Sequence, residues 1–116
     1  MRIVAAALLC LFCSSVAGAQ QSDQQREHLD WIASAIAAAE SIHPGMHRRD
    51  VMTNFREEGG LSTRTERPYV WRECAYIKIR VQFKPTGRDP ASAVTEDPED
   101  IIISVSDPYL EYPVFD

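Results

Sequence analysis

The sequence predicts an α+β fold in which two N-terminal helices pack on a three-stranded antiparallel sheet, a two-layer sandwich. Three observations predict it. Apolar residues recur at helical spacing from Leu29 to Ala39. A strict two-residue alternation runs from Ile77 to Lys84, and it marks a strand with one buried face. Two short β-branched and aromatic runs, Tyr69-Val70-Trp71-Arg72 and Ile101 to Val105, flank that strand.

The chain begins with one arginine, Arg2, followed by an uncharged and mostly apolar run from Ile3 to Val16. Ala17-Gly18-Ala19 then has the small-x-small form of a signal-peptidase site, so residues 1–19 read as an export signal cut after Ala19. The run is shorter than the roughly 20 residues a membrane-spanning helix needs. Bulky Leu9 and Phe12 precede Cys10 and Cys13, whereas a lipid-attachment site wants a small residue there. The expected mature protein is therefore a single domain over residues 20–116, without lipid and without a transmembrane segment. Its only cysteine is Cys74, so no internal disulfide is available to it.

The first helix is expected over about residues 23–42. Ser22 and Gln25 resemble a capping box, Leu29, Ile32 and Ile36 form an apolar face, and His43-Pro44-Gly45 ends the helix. The second is expected over about residues 48–58, with His47 as cap, a stripe of Val51, Met52 and Phe55, and a stop at Gly59-Gly60. Glu73-Cys74-Ala75 is short enough to join the first two strands as a hairpin. The alternation places Ile77, Ile79, Val81 and Phe83 in the core with Trp71, Ile32, Ile36, Val51 and Phe55. The triple isoleucine of the third strand suggests fuller burial. Residues 84–100 form a long polar loop, and loops of that length are usually functional or disordered.

The segment Ile42-His43-Pro44-Gly45-Met46-His47-Arg48-Arg49-Asp50-Val51 resembles the Ile-x-x-Gly-Met-Thr-x-x-x-Val signature of the SmpA/OmlA family. These are small bacterial cell-envelope proteins with two helices followed by a three-stranded sheet. Similar modules occur in inhibitor proteins of the β-lactamase-inhibitor type. His47 replaces the usual threonine, Gly59-Gly60-Leu61 replaces a Gly-x-Pro, and the lipid-bearing cysteine is missing. The resemblance implies the fold and an envelope location more than a role in outer-membrane assembly.

Nothing in the residue pattern calls for an enzyme or a cofactor. Walker, dinucleotide and Gly-x-Ser-x-Gly motifs are missing from the sequence. His43 and His47 have a metal-like spacing, but Pro44-Gly45 interrupts any helix that would align them. Charge says more. The chain carries a formal −5, and residues 96–116 contribute seven acidic groups and no basic one. Lys78, Arg80 and Lys84 share one strand face, which Arg72 can join from its neighbour. The plain reading is a solvated face that discourages aggregation. The functional one is a basic platform for an acidic protein partner, or for the chain's own segment 96–100. An exported acidic protein is a poor nucleic-acid ligand. The expected role is an exported, non-catalytic binding or structural module of the cell envelope. The alternative is a small secreted inhibitor that docks its sheet on an enzyme.

Overall fold

The computed structural model describes residues 22–86 and 95–115, so the expected signal at 1–19 and much of the loop 84–100 lie outside the described residues. The chain divides into two units, Met1–Ser34 and Ala35–Asp116. The first helix, α1, covers residues 22–40, close to the expected span. Within the first unit its side chains are largely exposed, Leu29 among them, and His28 stacks on Trp31 with ring centres 6.1 Å apart.

In the second unit, the buried residues of this segment are Ala35, Ala39 and Ile42, spaced four and three apart. Ile32 and Ile36, expected in the core, are 37% and 44% exposed. One residue of helix is a rotation of about 100°, so the buried stripe lies beside the isoleucine stripe and not on it. Small alanines, which weigh little in a hydropathy pattern, occupy the covered face.

The second helix is also shorter than expected. α2 is a single turn, Arg48–Val51, and Phe55–Glu57 is a strand, β1. Thr53 and Asn54 are poor helix formers. Extending the chain lets Phe55 pair with Trp71, and Glu57 with Tyr69. His47 caps α2 in extended conformation, and the Asp50 carboxylate accepts the His47 backbone N–H at 2.8 Å. Gly45 turns the chain between the helices at φ +93°, a conformation that suits glycine.

β2 (Glu66–Trp71), β3 (Cys74–Lys84), β4 (Ile101–Val105) and β5 (Tyr109–Leu110) complete an antiparallel sheet of five strands. With few helices beside such a sheet, the molecule is α+β. The order is β1-β2-β3-β4, with β5 beside the first half of β3. Two strands, β1 and β5, thus join the three expected. The hairpin turn is Arg72-Glu73, so Cys74 and Ala75 belong to β3. The α1–α2 turn closes the outer edge of β4: Gly45 N–H donates to the Ile102 carbonyl and Ile102 N–H to the Met46 carbonyl.

The core lies on one face of the sheet. Phe55, Tyr69, Ile79, Val81, Phe83 and Ile102 are buried there with Val51 and Trp71. Ile77 is only half-buried. The triple isoleucine alternates: Ile102, opposite Phe83, is buried, Ile101 is half-buried, and Ile103, beside the register shift at Gln82/Phe83, is exposed. The expectation of fuller burial along this strand is therefore corrected, because successive side chains of a strand point to opposite faces and only one of the three isoleucines is buried. Among the described residues, no helix is long and apolar enough to cross a membrane.

Candidate functional site

The four basic residues singled out in the sequence do not form one platform. Arg80 and Lys84 are exposed on the sheet face away from the core, as the alternation requires. Arg80 donates to Glu66 on β2 at 2.8 Å, and Gln82 links the same carboxylate to Ser104 on β4. Arg80 first, then Gln82, holds the Glu66 carboxyl below its usual range. Arg72 sits in the β2–β3 turn, where its guanidinium donates to the Met52 carbonyl at 2.6 and 3.1 Å. It pins the end of α2 to the hairpin.

Lys78 departs most from expectation. It points to the predicted face, yet that face is covered, and the side chain is 0% exposed. The C-terminal segment 111–115 lies over it. The Lys78 ammonium contacts the Glu58 carboxylate, donates to the Tyr112 carbonyl at 2.8 Å and reaches Glu111 at 3.4 Å. Its three N–H donors thus have three acceptors. Burial by itself would lower the lysine pKa, but Glu58, helped by Glu111, outweighs it and holds the ammonium above its ordinary value. Glu58 is itself buried and also accepts the Val114 backbone N–H at 3.1 Å.

Local backbone geometry makes this crossing possible. Gly60 has φ +93°, and a Cβ there would stand 3.1 Å from Val114 Cγ1, so glycine suits both the turn and the close approach. Beneath the segment is a hollow of about 100 Å³, lined by Arg56, Glu58, Val70 and Ala75 from the sheet side and by Pro113 and Val114 above. The segment's own side chains point mostly outward. Tyr112 is 82% and Phe115 84% exposed, and Tyr112 meets the exposed Tyr76 edge-on at 6.0 Å.

The acidic segment 96–100, one of the alternatives for covering the Lys78 face, goes to a different group of arginines. Asp100 is fully buried. It accepts from Arg48 at 3.0 and 3.2 Å, from Arg64 at 3.2 Å, and from the backbone amides of Thr86 and Asp97 at 3.0 and 3.1 Å. Burial pushes its carboxyl up, but these amide and guanidinium hydrogen bonds prevail and hold it below the usual aspartate value. The Arg48 guanidinium lies 3.8 Å from the Phe83 ring centre and donates to the Tyr69 hydroxyl at 3.3 Å. Glu96 takes a two-pronged contact from Arg67 at 2.8 and 2.9 Å.

This centre escaped the sequence pattern because Arg48, Arg64 and Asp100 are 16 to 52 positions apart and none repeats with a period. The one local signal is Asp97-Pro98-Glu99-Asp100, a turn-forming acidic run. Glu58 was hidden too, since it reads as a helix end. His47 sits between two carboxylates, with Nδ1 3.8 Å from Asp50 and Nε2 3.9 Å from Glu99. Its two nitrogens face different acids, and among the described residues no group of three or more His, Cys, Asp or Glu could hold a metal ion. Cys74 is half-buried and free.

Chemically, the Asp100 centre locks the 97–100 segment to α2 through Arg48 and to the turn before β2 through Arg64, while the Lys78–Glu58 pair holds a main chain through one donor and one acceptor. Comparison with known proteins finds no matching family model, curated protein or solved structure.

Proposed function

We propose that this protein is an exported, non-catalytic protein-binding module of a bacterial cell envelope, periplasmic or secreted after loss of residues 1–19. The module is a two-layer one, with helical residues covering the core face of the sheet and the C-terminal segment 111–115 lying over part of the opposite face. The observation that carries the reading is the outward display of Tyr112 against the exposed Tyr76, with Phe115 exposed in the same C-terminal segment, large aromatic side chains left to water. Aromatic residues of this kind dominate protein interfaces. Arg80 is already paired with Glu66, and Lys84, exposed further along β3, is a basic group open to an acidic margin of a partner. The Ile42–Val51 resemblance supports an envelope location.

The test is affinity capture from a periplasmic extract with the mature protein and with a Tyr112→Ser, Phe115→Ser variant. Capture of a specific protein that the variant loses, with an unchanged thermal melt, supports the reading. Equal capture by both removes it. Intact-mass measurement of the exported protein checks the cut after Ala19, and a mass retaining residues 1–19 would refute it. A second reading, an inhibitor docking this face on an enzyme, is favoured by the projecting Tyr112 and Phe115. It requires the captured partner to be one soluble enzyme whose activity falls on binding.

A further inference from the structure

We propose that the buried Lys78–Glu58 pair is a main-chain peptide clamp whose resident occupant, the chain's own 111–115 segment, gives way to an extended proline-containing segment of a partner protein. The inference rests on the binding-module reading only for the existence of a partner, and it makes the clamp beneath segment 111–115, in place of the displayed Tyr112 and Phe115, the surface that the partner meets.

Geometry defines what the clamp reads. Lys78 takes the carbonyl of Tyr112, and Glu58 takes the N–H of Val114. These groups flank Pro113, the residue that offers no N–H of its own. A carbonyl and an amide two residues apart are features of any main chain. The clamp therefore selects a backbone shape with a proline at its centre, and no side chain enters the pair. Glu111 adds one side-chain contact, a carboxylate at 3.4 Å from the ammonium. The ligand class is thus a short extended segment with an acidic residue two positions before a proline, the pattern that Glu111 and Pro113 supply in the resident segment.

Three features make the resident segment exchangeable. Its large side chains, Tyr112 and Phe115, are more than four-fifths exposed and contribute little burial. A hollow of about 100 Å³ remains beneath it, room that a longer side chain of a partner can fill. The clamp also survives the exchange: with the segment lifted, water reaches the Lys78 ammonium and Glu58 carboxylate in place of Tyr112 and Val114, and a substitute main chain then takes both positions at once.

The experiment uses the full chain with Val114→Pro, which deletes the amide that Glu58 accepts and weakens the resident segment. A fluorescein-labelled peptide, Glu-Tyr-Pro-Val-Phe, is titrated by anisotropy. It should bind Val114→Pro at least tenfold more tightly than wild type, whose clamp is occupied. Lys78→Met with Glu58→Leu in the same background, and a peptide with N-methylated valine, should each weaken binding at least tenfold. Absence of binding to a folded Val114→Pro chain, or equal binding of the N-methyl peptide, overturns the proposal. Wild-type dimers at micromolar concentration that Val114→Pro abolishes would assign the clamp to a second copy's segment and also overturn it.

Hydrogen exchange of the wild-type chain keeps the question open to refutation if Val114→Pro fails to fold. The Val114 amide should be protected at least tenfold over an unbonded amide, yet exchange at least tenfold faster than that of Ile79. No protection, or protection equal to that of Ile79, refutes an exchangeable segment. Failed capture from extract with intact peptide binding would remove the module reading and leave the clamp. The opposite pair of results would do the reverse.

Discussion

Lys78 and Asp100 are both fully buried charges, and each is tolerable only because every partner is in place. Removing one member of a buried ionic group leaves the rest uncompensated, at a cost of about 3–5 kcal/mol, whereas exchanging the whole group for apolar residues is often neutral. Lys78→Ala should therefore destabilise the domain by roughly that amount in urea melts. The solvent-facing position expected from sequence would have cost under about 0.5 kcal/mol. The double change Lys78→Met, Glu58→Leu should recover most of the loss. Asp100→Asn should cost a similar ~3–5 kcal/mol, because Arg48 and Arg64 stay buried without their carboxylate. On the core face, Ile79→Ala should cost about 2–5 kcal/mol, the range for large-to-alanine core changes.

At the scale of the elements, the rotation of α1 can be tested. Ile36→Ala, on the exposed stripe, should shift stability by less than about 0.5 kcal/mol. Ala39→Leu, on the buried stripe, should overpack and cost about 1–3 kcal/mol. Reversal of this ranking in urea melts would put the isoleucine stripe back in the core. The turn at Gly60 is a second test. Gly60→Ala meets both a left-handed backbone and Val114 at 3.1 Å, so it should destabilise by at least about 1 kcal/mol. It should also speed exchange of the Val114 amide, since the crossing segment is what the new methyl displaces.

Across the whole molecule, the two buried charges set the pH window. The Asp100 carboxyl is held below its unfolded value, so its contribution is present above the ordinary aspartate range and is lost as pH falls through the folded value. The Lys78 ammonium is held above its unfolded value, so its contribution is present below the ordinary lysine range and is lost as pH rises through the folded value. Stability from these groups should thus be flat between the two ranges and decline at both ends. Urea midpoints against pH should show an acid limb that Asp100→Asn flattens. The alkaline limb should flatten in Lys78→Met, Glu58→Leu. Retention of either limb in its variant would mean that other groups set it. Three of the seven acids after residue 95 serve buried or half-buried lysine and arginine side chains, Glu96 and Asp100 for arginines and Glu111 for Lys78.

What the sequence by itself determined was local. The alternation of Ile77 to Lys84 settled which residues of β3 face the core and where that strand ends, though not its start at Cys74; the 101–105 strand and its bounds, and an α1 ending just before His43-Pro44, were equally local. Each depends on neighbours within one or two turns or pleats, so periodicity and proline chemistry suffice. Tertiary structure decided the rest. Phe55–Glu57 became a strand only because Tyr69–Trp71 offered an edge, and α1 buried its alanines only because a particular face met cover. Lys78 faced the side that the alternation specified, and a segment more than thirty residues later made that side an interior. Whether a polar face is wet depends on what the distant chain lays over it, and no spacing rule along one strand contains that information.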